Sequence, residues 1–137
     1  MKKIVSVLLL ILWLYFIYSM SSHGASESTR ESGVFVTFIM NLFHINNKHL
    51  VTLIVRKTAH FIEYFILGIL TVNCFNAFNK RKILYISLFC LVIAIFDEYH
   101  QLFVPGRSFG YIDIIIDFIG SISSIYLSKI LHIIKYE

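Results

Sequence analysis

Arg56-Lys57-Thr58-Ala59-His60-Phe61-Ile62-Glu63-Tyr64-Phe65-Ile66-Leu67-Gly68-Ile69-Leu70-Thr71-Val72 opens on ionisable side chains and closes on apolar ones. It belongs to a longer stretch, Val51 to Phe78, whose charges all fall in the first half. A membrane span needs roughly 20 mainly apolar residues, with a range of about 17–25. Three further stretches meet that requirement: Ile4 to Met20 behind Lys2 and Lys3, Ile83 to Gln101, and Tyr111 to Leu131. The fold class that follows is all-α, a polytopic membrane helical bundle. It forms one domain over residues 1–137, with transmembrane helices near 4–20, 51–78, 83–101 and 111–131.

Composition agrees. Of 137 residues, 58% are hydrophobic and only 15% charged, against about 25% charged in a soluble domain. Too little polar surface is left to coat a globule, and the apolar content excludes disorder. Small serines after the first stretch resemble a signal-peptide cleavage site. The length of that stretch and its Trp13, Tyr15 and Tyr18 favour a retained span.

Orientation follows from lysine and arginine placement, because cytoplasmic loops carry the excess of both. Lys2, Lys3, Lys80, Arg81, Lys82, Lys129 and Lys135 fall on one side if four spans start from a cytoplasmic N-terminus, which makes the C-terminus cytoplasmic as well. The sequence pI near 9.1 is then mostly topology, and no nucleic-acid partner is needed. In the first outer loop, Ser28 and Glu31 have capping-box spacing. Val34 to Ile45 reads as a short amphipathic helix at the interface, too short to span. Asn46-Asn47 signals a turn. Cys74 and Cys90 lie inside spans and are expected to pack as small apolar groups.

The informative residues are ionisable groups inside apolar helices. Arg56, His60 and Glu63 share a helix face, as do Asp97, His100 and Gln101, and again Asp113, Asp117 and Gly120. At about 1.5 Å per residue, Glu63 lies roughly 10 Å below Arg56. Asp97 and Asp117 lie about 9 Å below the outer boundary. Three carboxylates thus share one layer, with His60, His100 and Asp113 above it. Arg56, Lys57 and Arg107, the last from Val104-Pro105-Gly106-Arg107-Ser108, crown the set. Charge in hydrocarbon costs at least ~2.5–3.5 kcal/mol per group, so such residues are functional candidates.

The pattern describes an outward-facing polar pocket. His60, Glu63, Asp97, His100 and Asp117 are the candidate catalytic groups, since histidine with carboxylates can move protons. Arg56, Lys57, Gln101, Arg107 and Asp113 are the candidate substrate-binding groups, with arginine supplying a fork for phosphate. The expected partners are membrane lipids, with an anionic lipid headgroup or cell-envelope precursor as substrate. No cofactor is specified, although Asp97, Asp113 and Asp117 could hold a divalent cation through oxygen ligands. Glu98 points away from Asp97. No serine or cysteine stands out as a nucleophile in the pocket layer, which favours general-base or metal-assisted chemistry over an acyl intermediate. The inner half of each span lacks ionisable residues, which argues against ion conduction. The alternative is a non-catalytic lipid- or antibiotic-binding module whose charged network mainly locks helices together.

Four pieces of the sequence carry a family resemblance. They are Tyr18-Ser19-Met20-Ser21-Ser22, then Arg56 to Tyr64, then Asp97-Glu98-Tyr99-His100-Gln101-Leu102-Phe103-Val104-Pro105-Gly106-Arg107, and last Asp113 with Asp117 and Gly120. In this order and spacing the chain resembles the VanZ-like family of bacterial integral membrane proteins. The resemblance implies a multi-pass protein of the bacterial cell membrane that affects susceptibility to glycopeptides such as teicoplanin and to lipoglycopeptides. It also favours the charged network as a site over simple packing.

Overall fold

A computed structural model of the chain describes residues 2–76 and 79–136. It contains five helices, α1 (Lys2–Ser21), α2 (Ala25–Phe43), α3 (Lys48–Phe75), α4 (Lys80–Gln101) and α5 (Tyr111–Tyr136). Four of them are long and apolar enough to cross a membrane: Lys3–Ser21, Lys48–Phe75, Lys80–Gln101 and Tyr111–Leu131. The expected bundle is therefore present, with boundaries shifted by a few residues. Ala77 and Phe78, placed in the second span by sequence, lie outside the described residues, as do the side chains of Glu31 and Lys135.

Local chemistry explains the helix ends. The Asn47 side chain accepts the Leu50 N–H at 3.1 Å, and Asn79 accepts the Lys82 N–H at 2.9 Å. Each satisfies one donor that a helix start leaves unpaired. Asn76 closes α3 in the left-handed region at φ 47, which asparagine tolerates better than most residues. With 28 residues, α3 is longer than a ~30 Å hydrocarbon core requires at about 1.5 Å per residue. Part of it therefore has to extend past such a core.

One expectation needs correction. The loop between the first two spans holds no short helix from Val34; α2 is a single helix of 19 residues beginning at Ala25. Its start lies ahead of the Ser28–Glu31 spacing, and the Gly24 N–H donates to Glu27 Oε2 at 3.3 Å. The polar first half stays helical because Thr29, Ser32 and Thr37 hydroxyls donate back to carbonyls one turn earlier. These bonds absorb polar groups that would otherwise compete with helix hydrogen bonding. The helix packs along the start of α3, where Val36 and Val51 are both buried.

The core is organised by α3. Leu10 and Ile17 of α1, Tyr64, Leu67 and Val72 of α3, Cys90 and Ala94 of α4, and Ile125 of α5 form one cluster. Both cysteines are free and buried, as expected of packing groups. Trp13 ties α1 to α3 by donating its indole N–H to the Glu63 carbonyl at 3.0 Å. The closest pairing is α3 with α5. A Cβ on Gly120 would stand 2.5 Å from the Phe61 carbonyl oxygen, and one on Gly68 would stand 2.6 Å from the Ser121 carbonyl oxygen. Only glycine permits this approach, the small-residue packing common between membrane helices. The outward surface is apolar, with Leu12 63% and Phe96 65% exposed, and suits lipid rather than water.

Candidate functional site

The α3–α5 approach places Asp117 against His60, with Asp117 Oδ1 3.3 Å from His60 Nδ1. The Asp117 side chain is 0% exposed and that of His60 14%. Asp97 arrives from α4. One ligating atom from each of His60, Asp97 and Asp117 lies within 4.8 Å of the others. Asp117 Oδ2 has no hydrogen-bond partner, Asp117 Oδ1 and His60 Nδ1 have none beyond their mutual 3.3 Å ion-pair contact, and the fully buried Tyr64 hydroxyl, Glu98 Oε1 and Gln101 Nε2 have none. Buried polar atoms are nearly always paired, so this concentration of orphans calls for a physical explanation.

A cavity of about 220 Å³ opens above this floor. His60, Glu63, Asp97 and Gln101 line its polar side, Met20, Phe35, Val55 and Ala59 its apolar side, and Arg56 and Arg107 its mouth. Sequence reasoning missed two contributors. Helix α2 supplies part of the wall through Ser28, Ser32 and Phe35, so the helix expected at the interface covers the pocket. The end of α1 supplies Ser21, which is buried, and whose hydroxyl lies 3.4 Å from His100 Nδ1. The sequence singled out no serine there as a nucleophile, and the folded chain sets Ser21 beside His100. The signal was present in Tyr18 to Ser22, where a polar end closes an apolar span.

The other expected residues divide into two groups. Arg56 forms no ion pair among the described residues and faces the cavity. Arg107 is partly committed: its Nε donates to the His23 carbonyl at 3.2 Å and its NH1 to Gln101 Oε1 at 3.3 Å. Burial first, and then the charge of Arg56, push the Arg107 guanidinium below its ordinary pKa. Lys57 does not enter this cavity; it pairs with Asp113. Asp113 is therefore absent from the cluster with Asp97 and Asp117, and His60 occupies the third position instead. His100 sits at the edge, its ring 4.8 Å from that of Tyr18.

Glu98 has a definite task. It is fully buried, and its Oε2 accepts the Gly110 N–H at 2.7 Å, holding the chain where α5 begins. The loop before it is anchored at Pro105, whose carbonyl accepts the Ala25 N–H at 3.2 Å. Gly106, at φ +74, lies beside Ala25 with space for no side chain of its own. Through these contacts the Arg107 loop and the start of α2 form one rim.

Comparison with known proteins adds one finding. A family model described as VanZ/LLP1 matches residues 6–132. No curated protein and no solved structure matches the chain.

Proposed function

Because the chain belongs to the VanZ/LLP1 family, we propose that this multi-pass membrane protein receives an anionic headgroup of a lipid or cell-envelope precursor in its polar cavity. The observation that carries the reading is the mouth. Arg56 and Arg107 stand close enough for the charge of one to depress the pKa of the other. Neither has an ion-paired carboxylate among the described residues. Two neighbouring guanidinium groups outside any ion pair among the described residues, with Asp97, Glu98 and Asp113 acting on Arg107 only from a distance, favour an anion between them, and phosphate fits their planar donor forks. The apolar wall of Met20, Phe35, Val55 and Ala59 suits the acyl or prenyl chain attached to such a headgroup.

The lysine and arginine distribution supports a cytoplasmic position for both termini in the bacterial cell membrane. The cavity then faces the envelope, where glycopeptides such as teicoplanin act. His60 and His100 are the groups able to relay protons, with Glu63, Asp97 and Asp117 beside them. A non-catalytic, mainly structural network remains the second reading. It is favoured by the Lys57–Asp113 pair and by the bonds from Arg107 to His23 and Gln101.

The test uses the purified full chain in detergent, offered phosphatidylglycerol or phosphatidylcholine, with retained lipid counted by native mass spectrometry. Preferential retention of phosphatidylglycerol that falls in Arg56→Gln supports the headgroup reading. Equal retention of both lipids, or an unaffected Arg56→Gln variant, overturns it. Teicoplanin susceptibility of cells carrying His60→Gln or His100→Gln separates the two modes. Loss of the phenotype with lipid retention intact supports proton transfer, and an unchanged phenotype leaves binding alone.

A further inference from the structure

The floor of the cavity brings Glu63 and Asp97 beside His60, with Asp117 buried behind it. Among the described residues no lysine or arginine forms an ion pair with Glu63, Asp97 or Asp117, and His60 is the one basic side chain in ion-pair range of Asp117. Bringing carboxylates together out of water is unfavourable unless something compensates them. Protons could do so for one group. They do not explain why Asp117 Oδ2 and the Tyr64 hydroxyl are left without partners, since a protonated carboxyl is itself a donor and would pair with a neighbour.

We infer that His60, Asp97 and Asp117 form a binding site for a divalent transition-metal ion of the zinc type. Three observations carry the assignment. The three ligating atoms lie within 4.8 Å of one another. Asp117 is fully buried, with Oδ2 unpartnered. The ligands arrive from three separate helices, α3, α4 and α5, whose positions are held by the glycine contacts and the shared core.

Atoms spaced on that scale surround a point roughly 2.8 Å from each, against about 2.0–2.2 Å for zinc bonds to histidine and carboxylate. Side-chain rotations under ~1 Å close the set. One imidazole with two carboxylates favours zinc or manganese over magnesium or calcium, which prefer all-oxygen shells. Three protein ligands leave a fourth position open, as in zinc sites that do chemistry. An ion there would face the cavity below Arg56 and could meet the same phosphate or activate a water. As part of the headgroup site the ion rests on the proposed function; as a metal centre it stands on its own geometry.

The experiment is metal binding by the full chain in lipid-free detergent, after chelator treatment, with Co2+ alone as the spectroscopic probe and Zn2+ as competitor. The expected result is one Co2+ per chain with visible ligand-field absorption, displaced by Zn2+, and a rise in melting temperature reversed by chelator. Asp117→Asn and Asp97→Asn should each weaken Co2+ binding by at least about 100-fold, because loss of a direct ligand exceeds a second-shell effect. Asp97→Asn, at the edge of the cluster, guards against misfolding of the Asp117 variant. Absence of Co2+ and Zn2+ binding to the wild-type chain overturns the site, as does binding to folded Asp97→Asn within threefold of wild type. Intact Co2+ binding without phosphatidylglycerol preference would remove the headgroup reading and leave the metal centre standing.

Discussion

Replacing Gly120 by alanine adds one methyl group where α5 meets α3. Its Cβ would lie 2.5 Å from the Phe61 carbonyl oxygen, 0.9 Å short of ordinary 3.4 Å contact, with the Phe65 nitrogen 3.3 Å away. All of the obstructing atoms are backbone, so no side chain can swing aside and the helices must separate or rotate. Overpacking of this kind costs about 1–3 kcal/mol. It exceeds the roughly 1 kcal/mol that alanine gains over glycine inside a helix. Gly33 of α2 provides the control, because nothing lies within 4 Å of an added Cβ there. The same chemical change should therefore stabilise at position 33 and destabilise at position 120. Asp117 sits one turn from Gly120, so the displacement should also widen its 3.3 Å contact with His60. Thermal unfolding of Gly120→Ala and Gly33→Ala in one detergent, followed by size-exclusion chromatography, measures the difference. A Gly120→Ala variant as stable as Gly33→Ala would refute the close α3–α5 approach on which the site depends.

Three further substitutions probe the supports of the site. Glu98→Ala leaves the Gly110 N–H without its 2.7 Å acceptor and should cost about 1.5–3 kcal/mol; Glu98→Gln retains an acceptor oxygen and should lose less, as thermal melts would show. Trp13→Phe removes the indole bond to the Glu63 carbonyl. It should cost about 0.5–1.5 kcal/mol, and a melting curve matching wild type would contradict the role of Trp13 in holding α1. Lys57→Gln breaks a partly exposed pair with Asp113. Its stability change should stay within about 1 kcal/mol, and phosphatidylglycerol retention should match wild type, in contrast to Arg56→Gln.

The helices and the polar face of each were legible because both rest on one-dimensional rules. Apolar runs of about 20 residues match the bilayer, and ionisable residues three, four or seven apart share a helix face. Arg56, His60, Glu63, Asp97 and Gln101 do line one cavity. The rules end at the face of a single helix. They grouped Asp113 with Asp97 and Asp117 as possible cation ligands, whereas its pairing with Lys57 depends on how α5 is rotated against α3. They turned Glu98 away from the Asp97 face without saying what it meets there, and the folded chain directs it to Gly110.

Helix α2 marks the same boundary. Its capping-box spacing pointed to a helix start at Ser28 and its apolar period to a short helix from Val34, while serines and threonines tend to compete for backbone bonds. The folded chain lets them bond within the helix, and packing on α3 brings Ser28, Ser32 and Phe35 to the cavity.

By itself, then, the sequence determined that this chain is a four-span membrane bundle and which side chains its helices turn away from lipid. Apolar length and helical period contain that information. The tertiary structure decided which of those side chains meet. Glycine contacts at 68 and 120 set the separation of α3 and α5, and that separation pairs His60 with one Asp117 oxygen while nothing in the described chain satisfies the other.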